Sequence, residues 1–262
     1  MAEKILITSG YFKDYQRKLG FSSQVKTQDF FGAKDIIPRV DLKYITVLND
    51  RLYNIVDKIN FVVTDEIKLG SPSFFKKEYI DNVFETLRKN KILPTLNNQG
   101  RRPEQVYFSW MRGFVISNFF LKTLEIIFEV SSADIVPIGD DDFRSAESFK
   151  RTPKADWEIR LSENEKIRIE IQSGFTGLND IKQHKVLEAK KIFRETGVHS
   201  VGIHLDLFNG QVAFVKLDEV EDGENWITRS QMEGQLVFNI SQNYFVWKIM
   251  ESPIKYKEID FG

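Results

Sequence analysis

The chain contains no cysteine among its 262 residues, which excludes disulfides, thiolate metal ligands and cysteine nucleophiles. It lacks the glycine-rich phosphate loops of nucleotide-binding proteins, and neither HExxH nor GxSxG occurs in it. The three histidines, His184, His199 and His204, lie too far apart in sequence to form an obvious metal triad. We interpret His204, on a predicted strand, as a partly buried hydrogen-bonded residue, with metal ligation as the alternative.

Long apolar runs and an excess of one charge are also missing. The most apolar segment, residues 113–130, is interrupted by Asn118, Lys122, Glu125 and Glu129, so it predicts a buried amphipathic helix and not a membrane span. Because no signal-peptide pattern opens the sequence, we expect a cytoplasmic protein. The formal net charge of −1 gives no bulk signal for nucleic acid, although a DNA-binding cleft can concentrate basic residues locally.

Hydrophobic residues make up 42% and charged residues 29% of the sequence, as in ordinary globular proteins. Apolar periodicity, capping residues and turn signals predict the elements. The predicted helices cover residues 41–59, 75–89, 103–130 and 180–196, and the predicted strands cover residues 135–138, 156–161, 167–172, 201–207, 212–215, 235–240 and 244–250. We therefore expect an α/β protein, in which residues 1–100 are a mainly helical accessory region packed on a core formed by residues 101–262.

Two runs of strict alternation flank a short polar loop and predict a β-hairpin. The apolar rows consist of Trp157, Ile159 and Leu161 in the first run and of Ile167, Ile169 and Ile171 in the second. If both rows are buried in one core, Asp156, Glu170 and Gln172 emerge on the same side of the sheet. Carboxylates and amides suit a hard divalent cation. The alternative is that these side chains only keep an exposed hairpin face hydrated.

The order of the predicted elements and a short motif resemble those of a known protein family. The long helix, the strand start Pro153-Lys154-Ala155-Asp156, the hairpin and Glu170-Ile171-Gln172 resemble the core of the PD-(D/E)XK nucleases, and among them the type II restriction endonucleases. The resemblance covers roughly residues 105–216 by element order. It implies a restriction-endonuclease-like core, in which a mixed central β-sheet is flanked by helices.

The resemblance also implies a site. In that family the Asp and the Glu bind Mg²⁺, and the last motif residue helps to place or activate the attacking water. Carried over to this chain, Asp156, Glu170 and Gln172 are the catalytic residues, and Asp156, Glu170 and the backbone carbonyl of Ile171 are the metal ligands. Gln172 departs from the usual Lys, as it does in a subgroup of restriction enzymes. Since an amide cannot stabilise hydroxide as an ammonium would, the metal or a nearby cation has to contribute that charge.

Several further side chains are candidates around this motif. Glu125 or Glu129, on the helix before the sheet, is a candidate for an additional carboxylate ligand, with a solvent-exposed or capping role as the alternative. Two basic groups are candidates for contacts with DNA phosphates, with a solvated surface role as the alternative. They are Arg144, Lys150, Arg151 and Lys154 before the hairpin, and His184, Lys185, Lys190 and Lys191 on the helix that follows it.

The function implied by the resemblance is that of a Mg²⁺-dependent type II restriction endonuclease, which hydrolyses double-stranded DNA at a short specific site and leaves 5′-phosphates. A homodimer is expected, because cutting both strands of a symmetric site needs two active sites. A cognate DNA methyltransferase is expected in the same system, although not as a stable subunit. The alternatives are a DNA repair or junction-cleaving nuclease of the same fold, and a catalytically inactive DNA-binding module.

Overall fold

The computed structural model describes residues 8–96, 101–139, 155–221, 223, 225–230 and 234–261. The helices of this part of the chain are α1 (Ser9–Lys18), α2 (Gln24–Phe31), α3 (Leu42–Val62), α4 (Pro72–Lys76), α5 (Asn82–Lys89), α6 (Pro103–Phe119), α7 (Leu121–Phe128) and α8 (Gln183–Thr196). The strands are β1 (Ile135–Pro137), β2 (Trp157–Arg160), β3 (Lys166–Gly174), β4 (Asp180–Lys182), β5 (His199–Asp206), β6 (Gln211–Lys216), β7 (Trp226–Arg229), β8 (Gln235–Asn239) and β9 (Phe245–Lys248).

A six-stranded mixed sheet lies at the centre, in the order β1-β2-β3-β5-β6-β9. The pair β3–β5 is parallel, and the other neighbours in this sheet are antiparallel. Helix α8 makes the crossover that a parallel pair requires. A smaller antiparallel sheet has the order β4-β8-β7. The predicted fold class, a mixed central sheet flanked by helices, is confirmed, and it is consistent with a restriction-endonuclease-like core.

The central sheet is covered on both faces. On one face, Ile159, Ile167 and Ile169 are buried in a core shared with the helices that precede the sheet. On the other face, β6 contributes Ala213 and Val215 to a second core with helix α8 and strand β8. The described residues before and after residue 100 thus share the first core, while the proposed division of the chain at that residue stays a prediction.

The predicted hairpin is confirmed as β2 and β3, which pair with Trp157 opposite Ile169 and Ile159 opposite Ile167. Helix α6 packs on its apolar face. The indole of Trp157 donates a hydrogen bond of 3.2 Å to the hydroxyl of Ser117, the small residue that interrupts the apolar stripe of this helix. The small side chain of Ser117 therefore leaves room for Trp157, and the hydrogen bond holds the start of β2 against the helix.

Three predicted elements differ in the structure, which also contains the unpredicted helices α1 and α2 and the unpredicted strands β4 and β7. The helix expected over residues 103–130 is divided at Phe120, where the side chain of Asn118 donates to the carbonyl of Phe114 and competes with the helical hydrogen bonds. The helix expected over residues 75–89 contains a π-helical turn at Lys77–Asp81. Asp180, expected to cap a helix, instead lies in β4, and the helix begins three residues later.

Helices α1 and α2 contain no buried residue, and aromatic side chains of both are exposed. Among the described residues, no helix combines the length and the apolar character that crossing a lipid bilayer requires.

Helices α3 and α6 are joined by a buried polar contact that yields a stability prediction. The hydroxyl of Tyr107 donates a 2.7 Å hydrogen bond to the side-chain oxygen of buried Asn49. We expect Tyr107→Phe to lower the free energy of unfolding by about 1–3 kcal/mol, because the amide of Asn49 loses its donor in the core. The same change at exposed Tyr44 is the control and should cost less than about 0.5 kcal/mol. Equal denaturation midpoints for the two variants would contradict this prediction.

Candidate active site

Asp156 is anchored to the middle of the sheet by both its backbone and its side chain. Its amide donates to the carbonyl of Ile169 at 3.0 Å, and its carboxylate accepts from the amide of Ile171 at 2.8 Å. Asp156 immediately precedes β2, and this bond from its side chain extends the hydrogen bonding between β2 and β3 by one residue. Because the N–H and C=O of one strand residue point to the same edge, the carbonyl of Ile171 lies on the side of β3 where Asp156 is held.

Glu170 lies on β3 next to this anchored carboxylate. Its side chain is 12% exposed, and the ammonium of Lys185 on α8 lies 2.8 Å from each of its carboxylate oxygens. Burial raises the pKa of Glu170 to about 8, the charge of Asp156 adds to the rise, and Lys185 acts in the opposite direction. Burial and the neighbouring charge of Asp156 therefore disfavour the ionised form of Glu170, and the ammonium of Lys185 favours it.

The donor set fits a hard divalent cation. Asp156 and Glu170 supply carboxylate oxygens, and the Ile171 carbonyl lies on the edge of the strand that faces Asp156. Burial contributes most to the raised pKa of Glu170, and a cation between the two carboxylates would remove the second contribution, the repulsion from Asp156. Their assignment as Mg²⁺ ligands stays a prediction, and the geometry is compatible with it.

Gln172 has a structural contact that its sequence position did not reveal. Its side-chain amide donates a 2.9 Å hydrogen bond to the backbone carbonyl of Asp180. The carboxylate of Asp180 accepts two hydrogen bonds from Arg229, at 2.8 and 3.0 Å, and one from Asn239 at 2.9 Å. Gln172 therefore ties β3 to β4 of the smaller sheet, and its catalytic role stays a prediction.

A buried polar chain lies beside Gln172 on β5. His204, 1% exposed, is directly opposite Gln172 in the parallel register, so the two side chains share a face. Its Nε2 is 2.9 Å from the side-chain oxygen of Asn179, whose amide nitrogen donates to Asp206 at 3.1 Å. Burial lowers the pKa of His204 to about 4. The interpretation of His204 as a buried hydrogen-bonded residue agrees with these contacts.

The other residues predicted for the site have the following positions and contacts. Glu129 forms ion pairs with Lys257 at 2.6 Å and Lys255 at 3.9 Å, which favours its structural alternative. Glu125 is half-buried on α7, and its role as a ligand stays a prediction. His184 is exposed at the start of α8. The basic group Arg144, Lys150, Arg151 and Lys154 lies outside the described residues.

A second acidic group on the central sheet could offer metal ligands, namely His199, Asp218 and Glu219. It lies at the first residue of β5, five positions from His204 and so roughly 17 Å along the strand. The Nδ1 atom of His199 is 2.7 Å from Asp218, and Glu219 also pairs with Lys216 at 3.3 Å. These mutual contacts account for the group without an ion.

Sequence reasoning missed the contact between Lys185 and Glu170. It assigned Lys185 to DNA, because nothing in the helical pattern states which side chain of α8 crosses the strand. A usable signal exists: Val186 and Ala189 are the buried residues of α8, and Lys185 lies four positions before Ala189 on the same side. The cluster of Asp180, Arg229 and Asn239 depends on a second sheet and has no local signal.

Comparison with known proteins adds little to this geometry. No protein-family model matches the chain, and no curated protein matches it in sequence. Among solved structures, the chain is similar to the Holliday junction resolvase Hjc of Archaeoglobus fulgidus, with 11% identity over 47% of this chain and 82% of that one, at a TM-score of 0.30. This similarity is too slight to assign an activity to the chain.

The raised pKa of Glu170 leads to a prediction for cation binding. A divalent cation has to displace the proton of Glu170 wherever that proton is present, so its affinity should rise about tenfold per pH unit below pH 8 and level off above it. Calorimetric titration with Mn²⁺ between pH 6 and 9 measures this. Glu170→Gln should abolish binding, whereas Glu163→Gln in the exposed hairpin loop should not. A pH-independent affinity would contradict the prediction.

Proposed function

We propose that the protein is a Mg²⁺-dependent DNA endonuclease of the PD-(D/E)XK type, and specifically a type II restriction endonuclease that leaves 5′-phosphates. The observation that carries the proposal is the pair formed by Asp156 and Glu170 at the β2–β3 hairpin. One carboxylate is oriented by the amide of Ile171, and the other is buried beside it. A bound divalent cation would relieve the repulsion between two such carboxylates.

The residues divide the work as follows. Asp156 and Glu170 would hold the cation, with the carbonyl of Ile171 as a further oxygen ligand. Bound Mg²⁺ supplies positive charge to the phosphoryl oxygens and lowers the pKa of water. Lys185, whose ammonium contacts Glu170, contributes the positive charge that Gln172 lacks. The ordinary place for that charge in the family is the strand, and here it comes from the crossover helix.

The second candidate is a DNA-binding module without catalysis. It is supported by the two contacts that occupy the site: Lys185 covers both oxygens of Glu170, and Gln172 is engaged by the carbonyl of Asp180. If those contacts persist in the presence of cations, the carboxylates are unavailable as ligands. A repair or junction-cleaving nuclease differs only in substrate, so comparing plasmid with branched DNA separates it from the restriction enzyme.

The proposal predicts loss of cleavage by either carboxylate variant. Asp156→Ala and Glu170→Ala should each reduce Mg²⁺-dependent plasmid cleavage by at least about a thousandfold, because each removes a cation ligand and its charge. Glu163→Ala is the matched control on the same hairpin. Circular dichroism has to show that each variant remains folded.

The pattern of products decides between the candidates. Discrete bands from the wild-type protein indicate a site-specific enzyme, a smear indicates a nonspecific nuclease, and binding without cleavage supports the inactive module. Cleavage at the wild-type rate by Asp156→Ala or Glu170→Ala would overturn the assignment of the site. A cognate methyltransferase and a cytoplasmic location are further parts of the proposal.

The homodimer belongs to the same proposal, and we infer that the helical pair α1–α2 forms its contact. None of its residues is buried, and the pair exposes apolar rings that a partner surface would cover. The exposed rings are those of Tyr11, Phe12, Tyr15, Phe30 and Phe31. The clustered rings Phe21, Phe30 and Phe31 contact one another at centroid distances of 5.2 to 6.2 Å.

We expect the double substitution Phe30→Glu with Phe31→Glu to convert the dimer to a monomer, because charges would enter an apolar contact. Light scattering coupled to size-exclusion chromatography measures the mass, and Lys26→Glu on the same helix is the control for added negative charge. A wild-type monomer, or a dimer that persists in the double variant, would contradict this contact.

A further inference from the structure

Arg112 on α6 has a guanidinium held in a fixed position by aromatic rings. The guanidinium carbon lies 3.5 Å from the ring centroid of Phe175 and 5.5 Å from that of Phe108. Stacking of this kind restricts the orientation of the planar group while leaving its edge N–H donors for other partners. The side chain is thus positioned by the protein before any ligand arrives.

This guanidinium has no counter-ion within the part of the chain that the structure describes. Its Nε atom is buried without a hydrogen-bond partner, and none of the described carboxylates forms an ion pair with it. Burial lowers the pKa of Arg112. A partly buried cation without a counter-charge is unfavourable for folding, and such positions are retained mainly where a ligand supplies the charge.

Arg112 lines a cavity of about 290 Å³ at the end of β3. Gln172, Gly174 and His204 form part of the same wall, and Gln172 also lines the space beside Glu170. The cavity is therefore adjacent to the candidate active site. Among the described residues, its lining contains one carboxylate, that of Asp180, which is paired with Arg229. Within the same part of the chain, the guanidinium of Arg112 is the charge of the lining that has no counter-ion.

The wall of this cavity is closely packed at one point. A β-carbon on Gly174 would lie 2.9 Å from Nε2 of His204 and 3.1 Å from the side-chain oxygen of Asn179. Glycine thus lets the strand end approach the buried histidine. A ligand in the cavity meets the side chain of Arg112, and the guanidinium is a group with which proteins commonly bind phosphate.

We propose that Arg112 binds a backbone phosphate of the DNA substrate adjacent to the bond on which Asp156 and Glu170 act. The inference rests on the proposed function for the identity of the ligand. The anion site itself rests on the stacked guanidinium, on the lack of a counter-ion for it among the described residues, and on its cavity. The source of the phosphate, a DNA backbone or free inorganic phosphate, is a separate question that two experiments distinguish.

The first experiment uses inorganic phosphate as the probe and does not depend on nuclease activity. Phosphate-induced shifts of the thermal unfolding midpoint are measured for the wild-type protein, Arg112→Met, Arg112→Lys and Arg194→Met, the last being an exposed arginine on α8. We expect the shift to disappear in Arg112→Met, to be reduced in Arg112→Lys because the fork of donors is lost, and to persist in Arg194→Met. A wild-type shift in Arg112→Met would overturn the anion site.

The second experiment measures the affinity of the same proteins for duplex DNA as a function of salt, with Ca²⁺ in place of Mg²⁺. Arg112→Met should bind about tenfold more weakly. The slope of its log affinity against log salt should decrease in magnitude by about one, as expected for the loss of one phosphate contact. Arg194→Met should keep the wild-type slope. Wild-type affinity and slope in Arg112→Met would overturn the DNA-phosphate assignment.

The two proposals fail separately. If the wild-type protein binds DNA with an Arg112-dependent slope but does not cleave it, the DNA-phosphate contact of Arg112 stands and the nuclease function is wrong. If the wild-type protein cleaves DNA and Arg112→Met retains its DNA affinity and salt slope, the function stands and the inference is wrong.

Discussion

The parallel pairing of β3 with β5 is the constraint on which the site depends. Parallel neighbours cannot be joined by a tight turn, so the chain has to cross over the sheet, and α8 provides the crossover. That helix then lies over the polar face of β3, which brings Lys185 onto Glu170. The same register sets His204 beside Gln172 and Gly202 opposite Glu170. A β-carbon on Gly202 would lie 3.0 Å from the side chain of Leu217, so glycine permits the close packing beside the acid.

The central residues of the site have to satisfy two opposing requirements. The apolar rows of β2 and β3 must be buried for the hairpin to form, and helix α8 covers the opposite face of the sheet, which takes Glu170 partly out of water next to Asp156. Desolvation and like charge both raise the pKa of Glu170. The chain offsets this cost with the ammonium of Lys185 and with the amide of Ile171 on Asp156. The stability of the fold and the proposed binding of a cation consequently depend on the same two carboxylates.

Local patterns in the sequence predicted the parts that have local causes. Strict alternation identified β2 and β3, and a six-stranded sheet confirms the α/β fold class. The failures have non-local causes. Asp180 has the sequence of a helix cap, yet Arg229 and Asn239, distant in sequence, hold it in a second sheet. No periodicity specifies which side chains two separately predicted elements bring together, and so the contact between Lys185 and Glu170 was not predicted.

Gln172 departs from the lysine that the resemblance leads us to expect, and the structure gives it a contact with the second sheet. Its amide is engaged by the carbonyl of Asp180, so it orders the junction between the two sheets. The positive charge at the site is carried by Lys185, which reaches Glu170 from the helix. A charge on a helix across the strand can balance the same carboxylate as a charge two residues along the strand, because electrostatic compensation depends on distance and not on sequence separation. An amide at position 172 is therefore compatible with a positive charge beside Glu170.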